Sequence, residues 1–233
     1  MIKLLIAGVA GRMGQRIHAL ASQDPAFKVV YGLEAPSSIA TLPGLPIGSD
    51  KSNIQKADVV IDFTVAEATT TLLPEVVNYR KAMVIGTTGF SAEQEAKIAH
   101  AAKEIPIVIS FNMSLGVNVF FKVAQEVARA LPGYSVHIQE THHTQKKDAP
   151  SGTALQAGRL IEKVSRQKVT YESFREGAVV GDHRIIFKGP SDSLELLHHA
   201  ESRDIFVTGA LQAARWVVGK EPGLYSMWDV LGL

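Results

Sequence analysis

The stretch "IKLLIAGVAGRMG", Ile2 to Gly14, decides the fold. Its first six residues are apolar except for Lys3, as in a strand buried on both faces. Gly8, Gly11 and Gly14 follow, while Met13, Ile17, Leu20 and Ala21 recur at helical spacing. A strand that turns through glycines into a helix leaves backbone N–H groups pointing outward at the positive end of the helix dipole. Glycines there admit the close approach of a pyrophosphate. The usual spacing is G-x-G-x-x-G; here it is G-x-x-G-x-x-G, with Ala10 where the middle glycine would fall. Taken alone, that spacing also occurs in ordinary tight turns. A second strand, Phe27–Leu33, ends at Glu34, where an acid would meet the hydroxyls of an adenosine ribose. Strand, glycines, helix, strand and acid together read as a dinucleotide-binding unit.

The alternation continues. Strands are expected over Asp58–Thr64, over Ala82–Gly89 running into a Gly/Thr turn, and over Ile105–Phe111. A helix is expected from Ala66 to Tyr79, kinked or interrupted by Pro74, and Ser91 with Gln94 reads as a capping box opening another. This pattern predicts a Rossmann-type doubly wound parallel sheet. Gly86, Thr87 and Thr88, and Ser110 to Met113, would stand at carboxyl ends of later strands, the rim where ligands lie on such sheets.

From Asn112 the rhythm changes. Val117 to Leu131 form a long helical stripe, stopped by Pro132 and Gly133, and Tyr134–His143 alternates as a strand covered on one face. A helix through Ala157 and Val164, strands over 169–174, 184–188 and 193–200, and a helix over 204–220 complete the reading. The expected fold class is α/β with a second α+β domain containing an open mixed sheet. Residues 1–111 with 207–233 form the dinucleotide-binding domain, and 112–206 the substrate-binding and oligomerisation domain. Short hinges near Asn112 and after Ala200 would allow closure.

Charge and composition narrow the function. Lys and Arg number 24 against 23 Asp and Glu, so no global field attracts nucleic acid or an anionic membrane. There is no cysteine, which excludes disulfides and thiolate chemistry. The apolar start stops at Gly8, too short for a signal-peptide core, and no apolar run reaches the roughly 18 residues of a membrane span. A soluble, cytoplasmic protein without nucleic-acid or membrane partners is expected.

The densest chemistry lies in "ETHHTQKKDAPSGTA", Glu140 to Ala154. Pro150-Ser151-Gly152-Thr153 reads as a helix start with Ser151 as N-cap, whose N–H groups attract an anion, although plain capping needs no ligand. Lys146 and Lys147 add point charges, otherwise ordinary solvated surface. His142 and His143 end a strand and point to opposite faces, so one of them at most faces a given ligand. His198 and His199 read as surface or packing. Without cysteine or an H-x-x-x-H helix, no metal site is expected. The loop suits a small dicarboxylate that accepts a hydride and then a proton.

"GVAGRMG", "GTTG" at 86–89, "NMSLGVN" at 112–118 and above all "E-x-HHxxKxDAPSGTA" at 140–154 resemble the 4-hydroxy-tetrahydrodipicolinate reductase (dihydrodipicolinate reductase) family, through "GKEPGLYSMWDVL" near the end. The resemblance implies an NAD(P)H-dependent reduction of the cyclic dicarboxylate 4-hydroxy-tetrahydrodipicolinate in the diaminopimelate route to lysine. It implies a pyrophosphate loop at Gly8, Val9, Ala10, Gly11, Arg12 and Met13, and a ribose acid at Glu34. Nicotinamide-side turns would fall at Gly86, Thr87 and Thr88 and at Ser110, Phe111, Asn112 and Met113. It makes His142 the proton donor and Lys146 the other catalytic group, with His143, Gly152 and Thr153 holding carboxylates. A tetramer built through the second sheet is also implied.

The chain departs from the family in a short segment between Glu34 and Asp58 and in a second domain lacking a longer hairpin excursion. Beside Glu34 stand Ala35, Pro36, Ser37 and Ser38, where many relatives place Arg; no Lys or Arg follows until Lys51, and Arg12 is the one cation expected to reach a 2′-phosphate. NADH is therefore expected to be preferred, with NADPH possible. Another two-domain reductase, or an NAD-binding redox sensor, would share the architecture. Among such reductases a semialdehyde dehydrogenase usually needs a cysteine nucleophile, a homoserine dehydrogenase leaves the HHxxKxDAPSGT loop unexplained, and a sensor commonly has a basic DNA-binding segment; neither the cysteine nor the segment is present.

Overall fold

The computed structural model describes residues 1–38 and 42–233. The chain forms two compact units, Met1–Ser114 with Phe206–Leu233, and Leu115–Ile205.

The first unit begins with β1 (Ile2–Ala7), α1 (Arg12–Ala21), β2 (Phe27–Leu33), the two-residue β3 (Ile47–Gly48) and β4 (Val59–Asp62). It continues through α2 (Ala66–Asn78), β5 (Ala82–Ile85), α3 (Ala92–Ala101) and β6 (Pro106–Ile109). All pairings are parallel, and the order β6-β5-β4-β1-β2-β3 runs outward in both directions from β1 and β4. Every residue of β4 and β5 is buried, as central strands covered on both faces require. Leu5, Val60, Met83 and Ile107 from the strands pack with Leu72, Val76 and Ile98 from α2 and α3 to form one core layer. The helix start at Ser91 has its capping box. Pro74 does not interrupt α2. It removes one backbone donor, and the helix is held by burial of Leu72, Leu73 and Val76 around it.

The second unit contains α4 (Leu115–Ala130), β7 (Ser135–His142), α5 (Gly152–Ser165), β8 (Val169–Arg175), β9 (Gly181–Lys188) and β10 (Ser193–Ala200). The sheet order is β10-β9-β7-β8, with β7 and β8 parallel and β9 antiparallel to both β7 and β10. It is the open mixed sheet expected. Along β7, Val136, Ile138, Glu140 and His142 are buried while alternate residues are not. The covered face is thus apolar at one end and polar at the other. The opposite face is uncovered, and Leu197 is 69% exposed.

The chain returns to the first unit through α6 (Asp204–Val217), β11 (Gly223–Tyr225) and α7 (Met227–Leu231). β11 pairs in parallel with β6, adding a seventh strand. α6 lies so close to Met113 that a Cβ at Gly209 would overlap the Met113 carbonyl oxygen. Among the described residues, no helix is long and apolar enough to cross a membrane.

Candidate functional site

Two clusters of polar groups stand out, one in each unit. The first lies on the carboxyl rim of the parallel sheet, at the switch point between β1 and β4, where doubly wound folds bind ligands. Gly8 adopts φ +72° and donates its N–H to the Leu33 carbonyl at 2.9 Å. The Gly8 carbonyl in turn accepts from Gly11 N–H at 3.0 Å. A Cβ at Gly14 would overlap the Gly8 carbonyl and stand 2.6 Å from Val9 Cα. The tight approach between α1 and the turn therefore needs glycine at Gly14, and Ala10 sits outside it.

α1 starts at Gly11 with no side-chain cap and no acid in its first turn, which leaves its positive end to an anion. Glu34 accepts hydrogen bonds from Ala10 N–H at 2.9 Å and Ala35 N–H at 3.1 Å. Gly8, Gly11 and Glu34 line a cleft of about 730 Å³ with Lys51, Thr64 and Thr71, a volume typical of small-molecule sites. Uncapped helix start, glycine turn and acid fit a dinucleotide.

Not every expected residue meets that cleft. Val9 is buried, and its side chain packs on Gly32. Arg12 is exposed and is not among the cleft's lining residues, whereas Lys51 is, with Nζ 3.4 Å from the Thr71 carbonyl. Gly86, Thr87 and Thr88 follow β5; a Cβ at Gly86 would run into the Phe63 ring, Thr87 is buried and Thr88 exposed. After β6, the Ser110 hydroxyl donates to the Asn112 carbonyl at 2.8 Å, and Asn112 Oδ1 accepts from Ser114 N–H at 2.9 Å. That turn buries Met113 and leaves Phe111 51% exposed.

Asp62, which sequence analysis read as part of a strand, closes β4 on the same rim. It is fully buried; Oδ1 accepts from the Thr64 N–H at 2.8 Å and hydroxyl at 2.6 Å, while Oδ2 has no partner among the described residues. Burial pushes its carboxyl up from the usual carboxylate range.

The second cluster lies at the polar end of the covered face in the second unit. Glu140 and His142, two apart on β7, share that face. Glu140 is 1% exposed; one oxygen is bonded to His142 Nδ1, and the other accepts from Arg175 Nη2 at 2.8 Å and Ser151 N–H at 3.3 Å. Burial works to raise the Glu140 pKa, but hydrogen bonds from Arg175, Ser173 and His142 hold it below the ordinary carboxylate value. Burial lowers the His142 pKa, and Glu140 opposes the fall.

Arg175 ends β8 in register with His142, and also donates to the carbonyls of Lys146 at 3.2 Å and Asp148 at 2.6 Å. His183, in register with Glu140 on β9, meets the His142 ring edge-on at 5.2 Å between centroids. Its Nε2 is 3.1 Å from the Ser151 hydroxyl. The same oxygen accepts from Ala154 N–H at 3.2 Å. Burial, with His142 and His198 nearby, takes the His183 pKa down to about 3.

Lys146 Nζ pairs with Asp148 at 2.8 Å, and Lys147 is exposed. Ser151 caps α5 as expected, placing Gly152 and Thr153 in its first turn. His143 lies just beyond β7, half-buried. His199 is exposed and paired with Asp182, and His198 packs against Phe120 and His183. Arg175 and His183 thus join the cluster unexpected from the sequence, and Glu140 has a place in it that the sequence did not predict. The Glu140–His142 alternation was a visible signal; Arg175 and His183 arrive only through strand register. Among the described residues, no group of three or more His, Cys, Asp or Glu is arranged for a metal ion.

Comparisons with known proteins follow the same two halves. The family model "Dihydrodipicolinate reductase, N-terminus" matches residues 2–113, and "Dihydrodipicolinate reductase, C-terminus" matches residues 116–231. The 4-hydroxy-tetrahydrodipicolinate reductase of Caldanaerobacter subterraneus subsp. tengcongensis is 40% identical over 251 residues, covering 99% of this chain and 98% of that protein. The one from Methanoculleus marisnigri is 39% identical over 253 residues, with both chains fully covered. These aligned lengths exceed the 233 residues here, in keeping with shortened segments. Among solved structures, a dipicolinate-bound dihydrodipicolinate reductase from Paenisporosarcina sp. TG-14 has a TM-score of 0.87 at 24% identity, covering 98% of each chain. GenD2 from gentamicin A biosynthesis, in complex with NAD, has a TM-score of 0.67 at 12% identity, covering 99% of this chain and 90% of that one. These two likenesses speak to fold alone.

Proposed function

Because this chain belongs to the dihydrodipicolinate reductase family, we propose that it reduces 4-hydroxy-tetrahydrodipicolinate to tetrahydrodipicolinate with a reduced nicotinamide dinucleotide, in the diaminopimelate route to lysine. The observation that carries this reading is 40% identity, held over the full length of a relative bearing that name. The test is an assay in which the preceding synthase supplies the substrate and loss of reduced-nicotinamide absorbance is followed. No loss above the synthase-only control would refute it.

Residues 1–111 with 207–233 take the cofactor and 112–206 the substrate. Gly8, Gly11 and the uncapped start of α1 support a pyrophosphate, and Glu34 exchanges its backbone donors for ribose hydroxyls. Gly86 to Thr88 and Ser110 to Met113 flank the nicotinamide. When bound, the nicotinamide supplies the hydride.

In the second unit, Gly152 and Thr153 at the start of α5 and the His143 ring hold the ring carboxylates. Lys146 faces the negative charge that develops as the ring accepts hydride. His142 acts as the imidazolium: Glu140 holds its Nδ1–H, and the proton taken up on Nε2 passes to the ring. A hydride and a proton add to the ring, with loss of water when it is taken in its hydroxylated form.

NADH is preferred over NADPH, because a carboxylate at Glu34 suits a ribose hydroxyl and repels a 2′-phosphate. A homotetramer goes with the resemblance, and the uncovered sheet face with its exposed Leu197 supports it. A cytoplasmic location fits the same role.

A further inference from the structure

A charged carboxylate that is 1% exposed persists only where its oxygens are well bonded. Three of the partners of Glu140 tie it to different parts of the substrate half-site. His142 Nδ1 belongs to the imidazole, Ser151 N–H to the start of α5, and Arg175, at the end of β8, holds the loop between them. The Arg175 guanidinium reaches past Glu140 to the Lys146 carbonyl at 3.2 Å and the Asp148 carbonyl at 2.6 Å, and so fixes the segment that carries Lys146. The planar guanidinium fork, which also donates to the Phe174 carbonyl, holds these acceptors in fixed directions. On the far side of the imidazole stands Gly181. A Cβ there would lie 2.9 Å from His142 Nε2 and 3.3 Å from Cδ2.

We propose that Glu140 and Arg175 are positioning residues for the reduction, acting through His142, the Lys146 segment and the start of α5. Gly181 belongs with them as the bare position that keeps His142 Nε2 open. The proposal rests on the functional reading above. With Nδ1–H held by a buried carboxylate, the ring is fixed in orientation, and Nε2 is the nitrogen left to take up a proton and pass it to substrate. An amide at position 140 can turn its N–H toward Nδ1 and select the wrong tautomer, as happens when the acid of a serine-protease triad becomes an amide.

The experiment uses the full chain with Glu140→Gln, Glu140→Asp, Arg175→Lys and Gly181→Ala. The readouts are kcat, KM for substrate, NADH affinity by fluorescence titration, and the imidazole ¹⁵N shifts of His142, assigned by their loss in His142→Asn. Glu140→Gln is expected to lower kcat at least about 10²-fold with NADH affinity unchanged, the scale of a mispositioned general acid. It should also move His142 away from the Nδ1–H form, and Glu140→Asp should restore part of both. Arg175→Lys should raise KM and lower kcat together. Gly181→Ala should lower kcat while the Nδ1–H form persists.

Wild-type kcat and tautomer in folded Glu140→Gln would overturn the proposal. If that variant does not fold, because Arg175 is left unpaired, Glu140→Gln/Arg175→Met takes its place, and wild-type kcat there overturns it equally. The ¹⁵N readout needs no turnover. It reports on this anchor even if the chain proves to reduce a different substrate.

Discussion

Lys146 and His142 differ in setting: the lysine charge rests on the half-exposed loop beside Asp148, while the imidazole is buried beneath the sheet. Both belong to the second unit, whereas the dinucleotide cleft lies in the first. Lys146→Ala or His142→Ala should therefore lower kcat by about 10²–10⁴-fold, the usual contribution of a general acid, and leave NADH affinity unchanged. Steady-state kinetics with a fluorescence titration checks this, and wild-type turnover in either variant would remove that residue from the mechanism.

Cofactor choice is also decided residue by residue. A 2′-phosphate brings about two negative charges at neutral pH, against the Glu34 carboxylate. NADH should lead NADPH by roughly 10-fold or more in kcat/KM, about 1.4 kcal/mol. Glu34→Gln with Ala35→Arg should narrow or reverse that ratio. Lys51 lines the cleft and Arg12 does not, so Lys51 is the cation expected to meet a 2′-phosphate. Lys51→Met should cut kcat/KM for NADPH several-fold and spare NADH. Equal efficiency with both cofactors in the wild type would contradict the preference.

At the scale of elements, the carboxylate site proposed above is the start of α5, with Ser151 holding the cap and Thr153 in the first turn. Pyridine-2,6-dicarboxylate, a planar relative of the substrate, should inhibit competitively with substrate. Thr153→Val should weaken that inhibition without changing NADH affinity. Competition with NADH instead would show that the analogue binds in the other unit.

Long or strongly patterned elements were legible in the sequence. The buried run of β1, the alternation of β7 and the Ser91 capping box each carry a local signal. β3 and β11 are two and three residues long, too short for any period to show, and exist because β2 and β6 offer them an edge. The site was legible where its residues are neighbours in sequence, as along Glu140 to Thr153. Arg175 and His183 enter it by lateral pairing of β8 and β9 with β7, which no local pattern encodes.

On the scale of the whole molecule, His183 ties stability to pH. Its pKa falls from 6.5 to about 3 on folding, so between those values the unfolded chain holds the extra proton. Stability is full above pH 6.5 and is lost as pH falls through this window, by about 1.4 kcal/mol per pH unit from this one group. Urea unfolding followed by circular dichroism at several pH values should show that slope, and His183→Gln should flatten it. An unchanged slope would assign the acid sensitivity elsewhere. Both tryptophans, Trp216 and Trp228, belong to the first unit, so their fluorescence serves as the control.

The division of the chain has a consequence during synthesis. The second unit is one unbroken stretch, finished at Ile205, while the first closes only when β11 reaches β6. The unit that starts later on the ribosome is completed earlier. At about 5–20 residues per second, the nascent β6 waits on the order of ten seconds for its neighbour. Through that interval the growing chain carries a bare Pro106–Ile109 edge that the finished protein hides.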